Sequence, residues 1–364
     1  MSSPIQTQRS KALPDYRAPS SGLLAHLPSG WVPFAELTRI DRPTGIYLFY
    51  FPHLFGTLYA SAVPPNDISL LDLAYANAIL LVGTTFFRAA ACTWNDNMDR
   101  EYDRQVLRCR LRPLARKAVS PNQAHIFTAF LTSLALLFLY MLPQICWVLS
   151  LPSIALLVLY PFAKRFTDFP QVILGIQVGI GFFMGLGAVE SHLLQDLGGL
   201  GRKDWAIASF YAANVCWTIV YDTVYAQQDV EDDAKAGVRS MAVHFRGKAK
   251  TLLGLVSTLQ VSLLLLCAYS QGFGSGYKMI ACGGTAVSLG YMLTTIDLAN
   301  PSECMWWFKN ICWFVGGAVS VGLASEHLSW PWSSALHNWT CPSPALQRRG
   351  AMRSSPSLRG CTIA

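Results

Sequence analysis

Charge is scarce in this chain. Only 13% of its 364 residues are Asp, Glu, Lys or Arg, against roughly 25% in a soluble globular domain. Beside 52% hydrophobic residues, that poverty argues against a soluble all-α core. A metal-binding or disulfide framework is also missing. The ten cysteines are scattered, mostly inside apolar stretches, with no C-x-x-C pair and no His-rich spacing, so they read as small core residues. The first 30 residues contain no continuous apolar run, and no cleavable signal peptide is expected. Arg9, Lys11 and Arg17 are interrupted by Pro4, Pro14 and Pro19, and Asp15 is atypical of a transit peptide. Mitochondrial import is therefore the weaker expectation.

What the chain does have is long apolar runs. A hydrocarbon core about 30 Å thick needs roughly 20 apolar residues per helix. Nine stretches qualify, at about 43–63, 70–94, 124–142, 144–161, 170–189, 205–226, 250–271, 277–296 and 305–325. Several carry Gly or Pro, including Pro52, Pro152, Gly179 and Gly181, which membrane helices tolerate. The expected fold is an all-α membrane protein of about nine transmembrane helices, with the lipid bilayer as its first partner. Residues 1–38 form an N-terminal cytosolic segment, 39–326 the helical domain, and 327–364 a Ser-, Pro- and Arg-rich tail expected to be disordered. With nine spans, one set of loops carries fourteen basic residues and the other only Arg202, Lys203 and Lys278. The positive-inside rule puts the richer face in the cytosol. No nucleic-acid partner is expected.

The few carboxylates are not spread evenly. Nine of the 21 Asp and Glu fall in two segments, Asn95–Asp103 and Asp222–Asp233. Each ends an apolar stretch, where a bare carboxylate costs several kcal/mol unless something neutralises it. If the second span continues as helix, Asn95, Asp99 and Asp103 form one stripe at i, i+4, i+8, with Asp96 beside it. Asp222, Asp229 and Asp233, at i, i+7, i+11, form another, with Tyr225 between them. Carboxylates stacked in this way repel unless a cation bridges them. Mg²⁺ suits such a stripe, because it takes a few carboxylates together with phosphate oxygens and water. The bland reading is a solvated helix end or pairing with local arginines, and two such clusters on one membrane face make it less adequate. Arg39 and Arg42 precede the first span, Arg88 lies on the Asn95 stripe, and Lys164 and Arg165 follow the fourth span. Together they could stabilise a diphosphate leaving group. An ion-coupled transporter would instead place its acids near mid-bilayer on broken helices.

The run N-D-x-x-D-x-x-x-D-x-x-V-x-R-x-x-x-R-P, Asn95 to Pro113, resembles the first aspartate-rich motif of the UbiA superfamily of intramembrane aromatic prenyltransferases. Tyr221 to Ala226 with Asp229, Asp232 and Asp233 is similar to its second motif. Tyr160 to Arg165 with Pro170-Gln171, and Arg39 to Gly45, are similar to two further signatures. The likeness spans about residues 31–325, departing at Phe245-Arg246-Gly247, where relatives usually keep Phe and Gly adjacent. It implies a UbiA-like bundle around a central cavity, with Mg²⁺ held by Asn95, Asp96, Asp99, Asp103, Asp222, Asp229 and Asp233. Asp96, Asp99, Asp222 and Asp229 would be catalytic, and Arg39, Arg42, Arg88 and Lys164 would bind diphosphate. Tyr225 would face the allylic cation.

Residues 21–62 look most like the fungal meroterpenoid prenyltransferases. That implies a farnesyl or similar diphosphate as donor and a phenolic, polyketide-derived acceptor, with the enzyme in the endoplasmic reticulum and its site facing the cytosol. The alternative is the 4-hydroxybenzoate polyprenyltransferase of ubiquinone synthesis in the mitochondrial inner membrane.

Overall fold

The computed structural model describes residues 16–64, 68–195, 198–199 and 201–340, with side chains through residue 328. Among these residues there are helices and loops and no strand. In chain order the helices are α1 (Val32–Thr38), α2 (Thr44–Ala62), α3 (Leu70–Asp103), α4 (Pro121–Tyr140), α5 (Gln144–Phe166), α6 (Pro170–Val189) and α7 (His192–Gln195). Then follow α8 (Arg202–Ala226), α9 (Val230–Ala236), α10 (Met241–His244), α11 (Ala249–Gln271), α12 (Ser275–Tyr277), α13 (Gly284–Thr295) and α14 (Pro301–Thr340).

Helix occupies each of the nine stretches expected from hydropathy. Among the described residues, six helices are long and apolar enough to cross a membrane: α3, α4, α5, α6, α11 and α14. α2 and α8 dilute their apolar character with Thr57, Ser61, Ser209, Asn214 and Thr218, all buried inside the bundle. The ninth-but-one stretch is split, because a π-helical turn at Lys278–Gly283 separates α12 from α13. α14 runs on to Thr340, past the expected start of the tail. Residues 341–364 lie outside the described residues.

Local chemistry explains several boundaries. α4, α6 and α14 start on Pro121, Pro170 and Pro301, where the missing N–H would have had no helical partner anyway. Ser120 and Gln123 add a reciprocal capping box to α4. The outer faces of α4 and α5 expose Ile126, Phe130, Leu137 and Leu151, which suits hydrocarbon and not water. Inside, α2 packs against α6 through contact of the two backbones. A Cβ on Gly56 would lie 2.1 Å from the Phe182 carbonyl oxygen, and one on Gly185 2.1 Å from that of His53. Only glycine permits this approach.

Two features position the site. α3 has 34 residues, a length of about 51 Å at 1.5 Å per residue, so its last turns extend beyond a hydrocarbon layer about 30 Å thick. The loop from Arg104 to Val119 then folds back beneath α1, where Leu37, Leu114, Val119 and Ala124 form a small buried cluster flanked by Phe34 and Phe127. α1, assigned from sequence to the N-terminal segment, is thereby packed onto the helical body.

Candidate active site

The C-terminal ends of α3, α5 and α8 meet at one end of the bundle around a cavity of about 280 Å³. Eleven of the twelve site residues implied by the resemblance line it: Arg39, Arg42, Arg88, Asn95, Asp99, Asp103, Lys164, Asp222, Tyr225, Asp229 and Asp233. The two acidic clusters therefore face each other across one space. Cations interleave them. Lys164 Nζ lies 3.1 Å from Asp99 Oδ2. Arg108 donates from Nε to both Asp229 oxygens, at 2.9 and 3.0 Å, and from Nη1 to the Tyr225 hydroxyl at 2.7 Å. Arg112 Nη1 donates to the two oxygens of Asp103 at 3.0 and 2.9 Å.

Asp96 is the exception. It is 1% exposed and does not line the cavity. Its Oδ1 accepts hydrogen bonds from Arg39 Nη2 at 2.6 Å and Arg112 Nη1 at 3.1 Å. The reason is helical phase: Asp96 is one residue, or about 100°, off the stripe of Asn95, Asp99 and Asp103. This geometry sets Asp96 apart from the other residues expected to hold the metal. Arg88 differs in part. Its Nη1 donates to the carbonyl oxygens of Thr38 and Arg39 at 2.9 and 3.1 Å, so the partner required by its depth is the end of α1. Gly45 makes room for it, since a Cβ there would sit 2.5 Å from Arg88 Nη2. Arg42 is mostly exposed beside Asp41, at 3.4 Å.

The second stripe is not a continuous helix. α8 ends at Ala226, a 3-10 turn covers Gln227–Asp229, and α9 begins at Val230. Asp222, Asp229 and Asp233 reach the same cavity by this bend. Asp232 accepts from the Leu107 N–H at 3.0 Å, tying α9 to the loop after α3. Outside the membrane-spanning helices, burial and then the neighbouring Asp229 carboxylate push the Asp233 pKa up to about 7. For Arg39, burial works against the charge, but Asp96 outweighs it and raises the guanidinium pKa.

Sequence reasoning assigned Arg108 and Arg112 only to charge sidedness, although both stand in the first aspartate-rich run. Lys309 also lines the cavity. A lone lysine in the apolar run Met305–Phe314 was the available signal, since ionisable residues in such segments are expensive and usually functional. Tyr225 packs against Phe308 with ring centroids 4.5 Å apart and planes tilted by 43°, and Arg108 lies 4.8 Å over its ring. Away from the charges the walls are Leu48, Phe49, Leu157, Tyr160, Leu174 and Tyr221. Phe49 and Gln177 are shared with a second, apolar cavity of about 70 Å³ between α2, α3, α4, α5 and α6.

Among the described residues, no three His, Cys, Asp or Glu side chains converge closely enough to hold an ion unaided. That suits a hard cation that takes one or two carboxylates and completes its shell with phosphate oxygens and water. Asn95 Oδ1 is buried with no hydrogen-bond partner, on the same stripe as Asp99 and Asp103. An orphaned oxygen there fits a cation ligand.

Carboxylates and guanidinium groups at the membrane-interface end of an apolar cavity define an intramembrane site for an anionic, lipid-like substrate. The chain belongs to the UbiA prenyltransferase family, whose pattern matches residues 49–315, and it is a multi-pass membrane prenyltransferase. It is 37% identical to the prenyltransferase ascA of Acremonium egyptiacum over 75% of this chain and 80% of that one. It is 35% identical to the DMOA farnesyltransferase nvfB of Aspergillus novofumigatus, over 84% and 94% of the two chains. The mitochondrial 4-hydroxybenzoate polyprenyltransferase of Saccharomyces cerevisiae is 33% identical, over 84% and 79%. In fold the chain is similar to a UbiA homologue from Aeropyrum pernix, with a TM-score of 0.61 and 22% identity over 75% of this chain and 96% of that one. A homologue from Archaeoglobus fulgidus bound to GPP and Mg²⁺ gives a TM-score of 0.59 and 19% identity, over 82% and 98%.

Proposed function

We propose that this enzyme transfers a farnesyl group from its diphosphate to a phenolic, polyketide-derived acceptor in meroterpenoid biosynthesis, with Mg²⁺ as cofactor. The observation that carries this reading is the single cavity with opposed carboxylates and cations at one end and apolar walls beyond. Asn95, Asp99 and Asp103 from α3, with Asp222, Asp229 and Asp233 from the far side, would hold the metal. Magnesium, when bound, neutralises diphosphate charge and so improves the leaving group. Arg39, Arg112 and Lys164 supply donors to the same oxygens, fixed in place before the charge develops, and the exposed Arg42 adds positive charge at the rim. The allylic C–O bond breaks with its electron pair on the diphosphate. A ring carbon of the acceptor gives its π electrons to the allylic carbon, and the ring proton then passes to the released diphosphate. Tyr160, Tyr221, Tyr225 and Phe308 exclude water and offer π faces to the cationic carbon.

Depth supports a farnesyl donor. From Pro170 to Gln177 along α6 the first cavity descends about 10 Å at 1.5 Å per residue. Each isoprene repeat, four carbons joined by bonds of about 1.5 Å, advances roughly 5 Å. Two units would fill that depth, and a third would need the second cavity, which shares Phe49 and Gln177 with the first. The farnesyltransferase named among the relatives supports the same donor.

The basic loops support a site on the cytosolic face, and the membrane proposed for it is that of the endoplasmic reticulum. The second reading, favoured by relatives named for 4-hydroxybenzoate, is a mitochondrial inner-membrane enzyme with a long-chain donor. Expression in a yeast lacking its own 4-hydroxybenzoate polyprenyltransferase separates them. Failure to restore respiratory growth, with farnesylation of a polyketide phenol in microsomes, is expected. Restored growth with mitochondrial fractionation would replace the meroterpenoid reading.

A further inference from the structure

Asp96 joins three segments through one buried carboxylate: the end of α1, α3 itself, and the loop that follows α3. Its Oδ1 receives Arg39 at 2.6 Å and Arg112 at 3.1 Å. Both arginines line the active cavity while Asp96 does not. Arg39 is one of only two described non-glycine residues with positive φ, at 52°. It caps α1 in that left-handed conformation, a placement that persists only where surroundings hold it. Its carbonyl is bound by Arg88 and its guanidinium by Asp96. Arg112, in turn, spans Asp96 and Asp103 through one nitrogen. Two guanidinium groups converging on one oxygen would repel without that buried negative charge.

We propose that Asp96 is a positioning residue for the donor diphosphate: it acts through Arg39 and Arg112, holding both at the cavity wall, and does not bind the metal. This rests on the prenyl-diphosphate reading above. It divides the acidic cluster by task, with Asn95, Asp99 and Asp103 turned to the cation and Asp96 turned to the cations of the protein. Its charge keeps the two arginines fixed when the donor is absent, so the anion meets donors already oriented.

The test uses the full chain purified in detergent and two readouts. Mn²⁺ binding without donor is followed by the loss of the free-ion EPR signal, and KM for farnesyl diphosphate is measured at saturating Mg²⁺. Asp96→Asn is expected to raise KM at least tenfold and to leave the Mn²⁺ dissociation constant within twofold of wild type. Asp99→Asn is expected to weaken Mn²⁺ at least tenfold. Arg39→Gln and Arg112→Gln should each raise KM without changing Mn²⁺ binding, and combining either with Asp96→Asn should add little. Loss of Mn²⁺ binding in Asp96→Asn equal to that in Asp99→Asn would overturn the proposal. So would an unchanged KM in both arginine variants, a result that stands even if Asp96→Asn does not fold. A wild-type protein that binds Mn²⁺ but transfers no prenyl group would instead count against the proposed function.

Discussion

Asp99 and Glu101 are two residues apart on α3 and serve different ends. Asp99 is buried against Lys164 on the cavity wall. Glu101 is exposed and pairs with Arg100 and Arg104 on the surface. Asp99→Ala is expected to lower turnover by about a hundredfold or more, the scale of losing one charge-stabilising group at a reacting centre. Glu101→Ala removes a surface pair worth about 0–1 kcal/mol, so its turnover should stay near wild type in the same membranes. Asp233 adds a pH dependence. With its pKa near 7, it is protonated below that pH and becomes a metal-competent carboxylate above it. The Mg²⁺ concentration for half-maximal activity should therefore fall as pH rises from 6 to 8, and Asp233→Asn should flatten that trend. The two acidic clusters were legible because carboxylates at the ends of apolar stretches are rare enough for each one to require a reason. The sequence showed Asp96 beside the stripe, but its two arginine partners come from the end of α1 and the loop after α3, which residue type alone does not bring together.

At the scale of elements, α3 was the most legible part of the chain. Its apolar run and its acidic end share one 3.6-residue period, so the stripe of Asn95, Asp99 and Asp103 could be drawn in advance. The second cluster was harder, because the bend from α8 through Gln227–Asp229 into α9 changes the phase. No proline or glycine marks it. The loop from Arg104 to Val119 was also opaque, since its shape depends on Leu114 and Val119 finding Leu37 across 77 and 82 positions of chain. The second cavity was invisible for the same reason: five helices build it. Ala135 lines it and is absent from the first cavity. Ala135→Phe should cut the ratio of farnesyl to geranyl transfer at least tenfold, read by mass spectrometry with both donors in competition. An unchanged ratio would mean that the tail takes another route.

For the whole molecule, composition alone gave a membrane protein, and hydropathy located helix at each of the nine stretches. Crossing a bilayer is a stricter property, met on length and apolarity by six of the described helices. The polar atoms that lower the hydropathy of α2 and α8 are inside the bundle, so their neighbours are other helices and not lipid. Charge sidedness and the site agree physically: the face with fourteen basic residues is the face on which both carboxylate sets converge. The central claim is that these opposed carboxylates serve a metal-assisted departure of diphosphate. It is tested most directly by incubating membranes containing the chain with labelled farnesyl diphosphate and a panel of phenolic acceptors, with Mg²⁺ or with excess EDTA. The account predicts a farnesylated arene and released diphosphate with Mg²⁺ and neither with EDTA. Undiminished transfer in EDTA without added metal would contradict it.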